Sequence, residues 1–129
     1  MTKMKPNVLV VEDEADIREL ILFTLNSHGF DAEGAECAEE AWIKAAKRTP
    51  DLFVLDILLP DMDGLSLCEM FRRIPQTTKA PILMLTACAT GHTRSIAAGA
   101  GANDYMTKPF SPRELAQRVE KLMKPVSGG

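Results

Sequence analysis

The chain has 129 residues, a net charge of −3, 46% hydrophobic residues and 26% charged residues. These values fit one globular domain and exclude a disordered chain. No cluster of lysine and arginine marks a nucleic-acid surface, no apolar stretch could span a bilayer, and the first residues lack a signal-peptide core. Three unclustered cysteines favour reduced thiols in the cytoplasm over a zinc site or disulfides: Cys37, Cys68 and Cys88.

Short apolar runs alternate five times with segments of helical periodicity, which is typical of a parallel sheet covered by helices. The first strand is predicted from Asn7 to Glu12, and Gly29 is predicted to end the helix that follows it. A weaker strand from Phe30 to Ala35 contains glutamates and a glycine, which favours an edge position. The second helix has a face of small residues with one large side chain, Trp42. Apolar residues at helical spacing mark the first helix: Ile17, Leu20, Ile21, Thr24 and Leu25.

The third strand, residues 52–55, is closed by Asp56 and leads into the turn-rich loop 59–64. The third helix is predicted to end at Pro75, because proline disfavours helical backbone in the residue before it. The fourth strand, residues 81–85, leads to Thr86. The next helix, residues 90–100, is predicted to be the least stable, because interior glycines would each cost about 1 kcal/mol relative to alanine; these are Gly91 and Gly99.

A short fifth strand, residues 104–107, precedes Lys108. Ser111 is predicted to cap the last helix, with Pro112 in its first turn and Glu114 placed for a capping box. Residues 125–129 are predicted to be a tail or a linker stub. The sequence therefore predicts a single domain over residues 1–124, with no second domain.

Polar side chains follow four of the five predicted strands. The carboxyl ends of parallel strands meet at the ligand-binding edge of an open α/β sheet, so we expect these side chains to lie close together. Carboxylate oxygens suit a divalent cation, while a hydroxyl and an ammonium suit a phosphoryl group. The residues concerned are Glu12, Asp13, Asp56, Thr86 and Lys108.

Simpler interpretations exist for each of these residues. An acid at Glu12 or Asp13 can cap the next helix, although one cap needs one carboxylate and three adjacent acids repel each other unless a cation relieves them. Asp56 and Thr86 can likewise be turn or cap residues. An Asp carboxylate at the end of a rigid strand can instead accept a phosphoryl group as a nucleophile. The loop after the first strand is acidic and not glycine-rich, which opposes the binding of a nucleotide or flavin phosphate.

Taken together, these motifs resemble the receiver domain of two-component response regulators over residues 7–124. The resemblance rests on the acidic pair Glu12-Asp13, Asp56 with the loop 59–64, Thr86-Ala87, the run 101–105 and Lys108-Pro109-Phe110. It implies a doubly wound (βα)₅ α/β fold of the flavodoxin-like type, with a five-stranded parallel sheet in the order 2-1-3-4-5.

The resemblance also implies a role for each residue. Asp56 would accept a phosphoryl group from a sensor histidine kinase or a histidine phosphotransfer protein. Phosphorylation would change the face formed by the fourth helix, fifth strand and fifth helix, and so alter binding to a downstream protein or a fused effector domain. For Mg²⁺, with Mn²⁺ as an alternative, the implied ligands are Glu12, Asp13, Asp56 and the backbone carbonyl of Leu58. The implied phosphoryl-binding groups are Thr86, the Ala87 N–H and Lys108. The implied switch residues are Thr86 and Tyr105, and the implied loop residues are Pro60, Gly64 and Pro109.

Other functions remain open on the sequence. An aspartate-nucleophile phosphohydrolase carries a second Asp two positions after the nucleophile, where this chain has Leu58, so we expect self-modification and no turnover of an external substrate. A flavodoxin-type flavin carrier is opposed by the acidic first loop, whereas a phosphate-independent receiver scaffold is a remaining alternative. The apolar Leu58 also leads to the hypothesis of slow self-dephosphorylation. Cys88, near the site, is interpreted as structural, and no nucleic-acid or membrane binding is expected.

Overall fold

The computed structural model describes residues 5–87 and 90–124, in which strands and helices alternate along the whole chain. Cys88 and the predicted tail 125–129 lie outside these described residues. The strands are β1 (Asn7–Val11), β2 (Asp31–Ala35), β3 (Leu52–Asp56), β4 (Ile82–Thr86) and β5 (Asp104–Thr107). The helices are α1 (Ala15–Ser27), α2 (Ala38–Lys47), α3 (Gly64–Arg72), α4 (Gly91–Gly99) and α5 (Pro112–Met123).

The strands form one parallel sheet in the order β2-β1-β3-β4-β5, which confirms the predicted fold. Every residue of β1, β3 and β4 is buried. These central strands are covered on both faces, and their sequences are therefore continuous apolar runs instead of alternating ones. Most of β2 is only half-buried at the edge, as its interrupted sequence predicted.

Two apolar layers cover the sheet. One face packs against α2, α3 and α4, and the other packs against α1 and α5. On the first face, Phe53 of β3 stacks on Phe71 of α3 with ring centroids 4.2 Å apart. Trp42 of α2 stacks on the same Phe71 at 5.5 Å, but it is 39% exposed and so lies at the rim of the layer, not inside it.

Two details of the helices differ from the sequence interpretation. Leu20 of α1 is 42% exposed, because the stripe that faces the sheet runs through Ile21, Thr24 and Leu25 and leaves Leu20 on its flank. Gly91 and Gly99 are the first and last residues of α4, so the penalty for an interior glycine does not apply to them. None of the helices in the described part of the chain is long and apolar enough to cross a membrane.

The predicted helix ends are largely observed. Gly29 follows α1 with a φ of +90°, a conformation that favours glycine. Ser111 Oγ accepts a hydrogen bond from the Glu114 N–H at 3.0 Å and so caps α5. Asp63 caps α3 by accepting from the Leu65 N–H at 2.8 Å. Both α3 and α5 therefore begin at the carboxyl edge of the sheet, where the polar residues gather.

Candidate functional site

The ends of β1 and β3 bring three carboxylates together. Glu12 and Asp13 directly follow β1, Asp56 is the last residue of β3, and the two strands are paired. One carboxylate oxygen from each residue lies within 4.8 Å of the other two. The acidic cluster expected from the sequence is therefore present at the carboxyl edge of the sheet.

Lys108 reaches this cluster from the end of β5. Its Nζ lies 2.7 Å from Glu12 Oε1, 3.0 Å from Asp56 Oδ2 and 3.9 Å from Glu14 Oε1. Burial alone would lower the pKa of Lys108, but its contacts with Glu12 and Asp56 outweigh that effect and the pKa is raised. The ammonium is therefore charged at neutral pH, and the peptide bond between Lys108 and Pro109 is cis.

Glu12 is completely buried. Its Oε2 accepts a hydrogen bond from the Glu14 N–H at 3.1 Å. Its Oε1 pairs with the charge of Lys108, but no hydrogen bond with good directional geometry reaches this atom from the described residues. Burial raises the pKa of Glu12 to about 7; the close contact with the Lys108 ammonium and the Glu14 hydrogen bond oppose this rise, and the charge of Asp56 adds to it.

Helix capping does not account for this acidic loop. The N-cap residue of α1 is Glu14, and its side chain forms no cap hydrogen bond. The Glu12 carboxylate contacts Lys108 with one oxygen and the N–H of the N-cap residue Glu14 with the other, and it binds no N–H group of residues 15–17. The structure therefore favours a charged ligand site over the capping alternative.

The cluster fits a small divalent cation. Mg²⁺ binds hard oxygen ligands at about 2.0–2.1 Å, so ligand atoms on opposite sides of the ion are about 4.2 Å apart. The three carboxylate oxygens lie within 4.8 Å of one another, so the side chains would have to move closer together to bind one ion. The ammonium of Lys108 pairs with Glu12 and Asp56 of this cluster and lies 3.9 Å from Glu14, and Glu12 Oε1 is a buried acceptor without a well-directed hydrogen bond. The donor set and its charge therefore suit Mg²⁺.

Asp56 is held rigidly and is only 4% exposed. Its Oδ1 accepts a hydrogen bond from the Leu58 N–H at 3.3 Å, and its Oδ2 accepts one from Lys108. The loop after it is closed by a bridge between Leu58 and Asp63 and by the Gly64 N–H, which donates to the Ile57 carbonyl at 2.7 Å. Pro60 lies exposed within this loop.

The remaining predicted residues lie on β4 and β5 or just beyond them. Thr86, the buried last residue of β4, accepts a hydrogen bond at its backbone carbonyl from the Lys108 N–H at 2.8 Å. Ala87 follows it and is exposed. Tyr105 on β5 is half-buried, and the guanidinium carbon of Arg94 in α4 lies 4.7 Å from the centroid of its ring. Thr86 and Lys108 thus lie on the same side of β3, the strand that ends in Asp56.

Three arginines contact the predicted site residues without having been predicted. One of them, Arg118 of α5, donates to the Tyr105 carbonyl at 2.9 Å. Arg94 lies over the ring of Tyr105, and Arg18 of α1 donates to the Glu12 carbonyl at 2.8 Å. The sequence signal for Arg18 is its place one turn after the acidic loop. That signal is weak, because a basic residue on an exposed helix usually contacts only solvent.

With this geometry described, residues 8–120 match the response regulator receiver domain family, and the chain belongs to that family. It is thus a receiver domain of the phosphorylation-activated, two-component class of signalling proteins. It is 43% identical over 121 residues to the alkaline phosphatase synthesis transcriptional regulatory protein PhoP of Bacillus subtilis. That alignment covers 94% of this chain and 50% of PhoP, and the chain spans about half the length of the curated relatives it matches.

Solved structures show the same similarity. A putative response regulator from Chloroflexus aurantiacus superimposes with a TM-score of 0.87 at 38% identity, covering 92% of this chain and 98% of that one. The chemotaxis response regulator CheY4 of Vibrio cholerae superimposes with a TM-score of 0.89 at 30% identity, covering 93% of this chain and all of CheY4. The chain therefore has the same fold as these response regulators.

Proposed function

We propose that Asp56 is the phosphoacceptor and receives its phosphoryl group from a phosphohistidine of a sensor histidine kinase or a histidine phosphotransfer protein. The observation that carries this proposal is the contact of Lys108 Nζ with Asp56 Oδ2 at 3.0 Å, inside the cluster formed with Glu12 and Asp13. An acceptor carboxylate that already touches a cation can share that cation with an arriving anionic group.

The metal ligands in this proposal are the carboxylates of Glu12, Asp13 and Asp56 together with the backbone carbonyl of Leu58. Mg²⁺ is the expected ion, and Mn²⁺ is an alternative with a similar preference for oxygen. When bound, the ion would offset the negative charges of the acceptor carboxylate and the phosphoryl group. Without such compensation, two anions would have to meet in a pocket that already holds three acids.

The transfer itself requires one bond to form and one to break. A carboxylate oxygen of Asp56 attacks the phosphorus, the phosphorus–nitrogen bond to the donor imidazole breaks, and the new phosphorus–oxygen bond yields an acyl phosphate. The departing imidazole takes up a proton from water. Lys108 stays within reach of the product, because its long side chain can follow a phosphoryl oxygen as it leaves Asp56 Oδ2.

The phosphoryl group would then shift a conformational equilibrium. Lys108, the Thr86 hydroxyl and the Ala87 N–H bind it better in one arrangement of the β4–α4 and β5–α5 segments, so phosphorylation populates that arrangement. Tyr105 would turn inward as Thr86 moves toward the site. The output would be an altered α4-β5-α5 face, recognised by a downstream protein or by a fused effector domain.

Several finer assignments belong to the same proposal. The domain is residues 1–124, with 125–129 as a tail or linker. The protein modifies itself and turns over no external substrate, which agrees with an apolar Leu58 two positions after the acceptor; its side chain is 73% exposed. We place the protein in the cytoplasm and assign no nucleic-acid or membrane binding to this domain.

The direct test is incubation with Mg²⁺ and a small phosphodonor such as acetyl phosphate, followed by intact mass measurement. The expected result is the gain of one phosphoryl group, abolished by Asp56→Asn and by removal of the metal. Asp63→Asn is the matched control, because it removes a carboxylate from the same loop and should keep the gain. No gain at any donor concentration would favour the phosphate-independent scaffold.

A further inference from the structure

The Arg18 side chain binds the backbone of the acidic loop formed by residues 12–14. Its Nη1 donates to the Glu12 carbonyl at 2.8 Å and, more weakly, to the Asp13 carbonyl at 3.5 Å. Its side chain is only 16% exposed, although it lies on the first turns of an outer helix. The backbone segment that presents two of the three carboxylates is therefore fixed by one guanidinium.

The peptide group between Asp13 and Glu14 transmits this contact to the site. Its carbonyl oxygen faces Arg18, and its N–H donates to Glu12 Oε2 at 3.1 Å. A peptide group is planar, so its two ends turn together. Because Arg18 orients the carbonyl end, it also orients the N–H that holds the Glu12 carboxylate. The other oxygen of that carboxylate lies against Lys108.

Neighbouring elements fix Arg18 in turn. The aliphatic stem of Arg18 lies on Gly34 of β2, where an added Cβ would come within 3.0 Å of Arg18 Cδ and 3.2 Å of Cγ. Its Nη2 lies 3.7 Å from Glu36 Oε1, beyond the end of β2. The packing of the stem on Gly34 and the ion pair with Glu36 therefore fix the direction of the guanidinium together.

We propose that Arg18 is a positioning residue for the divalent-cation site, setting the 12–14 loop so that the Glu12 and Asp13 carboxylates converge on Asp56. This inference rests on the metal ligands of the proposed function, and it assigns Arg18 no contact with the metal or the phosphoryl group. A positioning role and simple electrostatics predict opposite changes in Mg²⁺ affinity when Arg18 is removed. A nearby guanidinium repels Mg²⁺, so charge alone would make its removal strengthen binding. Positioning requires that its removal weaken binding.

The test is calorimetric Mg²⁺ titration of the unphosphorylated protein. Arg18→Met should lower the affinity by about tenfold, the lower end of the range for groups that orient metal ligands. Arg113→Met is the matched control, because Arg113 is exposed and its side chain has no hydrogen bond or ion pair among the described residues. It changes the net charge equally and should leave the affinity unchanged or slightly higher.

A second variant and a metal-free readout complete the test. Arg18→Lys keeps the charge but supplies a point donor instead of a planar fork, so it should recover only part of the lost affinity. In the metal-free protein, Arg18→Lys should also speed hydrogen exchange at the Glu14 amide, which donates a hydrogen bond to the Glu12 carboxylate. This variant decides the question if Arg18→Met does not fold.

Two results would overturn the inference. One is an Arg18→Met protein that binds Mg²⁺ as tightly as Arg113→Met or more tightly. The other is an Arg18→Lys protein with wild-type affinity and wild-type exchange at Glu14. Neither result would affect the assignment of Asp56. A wild-type protein that binds no Mg²⁺ and gains no phosphoryl group would instead remove the proposed function itself.

Discussion

Asp61 caps α2 by binding its first residue, Ala38, which lies 23 residues earlier in the chain. The Asp61 carboxylate accepts hydrogen bonds from the backbone N–H groups of Ala38 and Glu39, each at 2.9 Å. Cys37, the N-cap residue of α2 itself, forms no side-chain cap hydrogen bond. The loop that follows Asp56 is therefore tied to the start of α2, so a change in this loop would alter the cap of a helix outside the site.

Removing this cap should destabilise the protein in a pH-dependent way. The two N–H bonds lower the pKa of Asp61 below its ordinary 3.8, so the folded state favours the carboxylate. That contribution is complete above pH 3.8 and is lost as the pH falls through the lower folded pKa. Thermal melts should show a lower Tm for Asp61→Ala at neutral pH and a much smaller difference well below pH 3.8. The Tm of Asp61→Asn, which keeps an acceptor oxygen, should lie between those of the wild-type protein and Asp61→Ala.

Gly64 is required for the close approach of α3 to the end of β3. An added Cβ would overlap the carbonyl oxygen of Asp56 and lie 2.9 Å from Ile57 Cα. These are backbone atoms that cannot turn away, so we expect Gly64→Ala to lose about 1–3 kcal/mol in urea unfolding and most of the phosphorylation rate. In the control Gly99→Ala, the added Cβ meets no atom within 4 Å at the last residue of α4, so little change in stability is expected. Equal stability of both variants would contradict this account of the loop.

Mg²⁺ binding should depend on pH through Glu12. Its pKa of about 7 means that a proton competes with the metal near neutrality. The Mg²⁺ affinity, measured by calorimetry, should fall by up to about tenfold for each pH unit below 7. An affinity that is flat between pH 8 and 6 would show that Glu12 is not a ligand or is already ionised.

The stability of the metal-free protein should fall as the pH rises, whereas the Mg²⁺ affinity should increase. The folded pKa of Glu12 lies above the ordinary value of 4.5, so its neutral form favours folding. This contribution is complete below pH 4.5 and is lost as the pH rises through about 7. Saturating Mg²⁺ should reverse the loss, because it binds only the folded, ionised site. Glu12→Gln should remove this part of the pH dependence in urea unfolding.

Leu58 should slow the loss of the phosphoryl group. Its side chain is 73% exposed, and its backbone N–H donates to Asp56 Oδ1 at 3.3 Å, so an apolar group lies next to the proposed acceptor. Limited water access slows hydrolysis of a reactive intermediate. Leu58→Asn should therefore lose the acyl phosphate several-fold faster after the phosphodonor is removed. Leu20→Asn, the same change at another exposed leucine, should decay at the wild-type rate.

Much of the fold and of the site could be predicted from the sequence. The central strands are buried on both faces, so their apolar runs end sharply and place Glu12, Asp56 and Thr86 at one edge of the sheet, and Lys108 follows the edge strand β5 at the same end. The contact between Lys108 and Asp56 follows from that placement together with the length of the lysine side chain. Local signals were enough for these residues.

The unpredicted contacts depend on the relative positions of elements that are distant in sequence. Asp61 is of a residue type common in turns, and only the packed structure shows that it caps α2. Arg18 belongs to an outer helix, where periodicity cannot show that its guanidinium reaches back to the preceding loop. The exposure of Leu20 and Trp42 likewise depends on where each helix lies on the sheet, which hydrophobic spacing alone does not specify.

Identification of the phosphorylated residue is the most direct test of the central claim. After incubation with Mg²⁺ and acetyl phosphate, borohydride reduction converts an aspartyl phosphate to homoserine, and tandem mass spectrometry of the peptides locates it. We predict homoserine at position 56 alone. Homoserine at Asp13, Asp61 or Asp63 instead, or at no position despite bound Mg²⁺, would contradict the assignment of Asp56 as the acceptor.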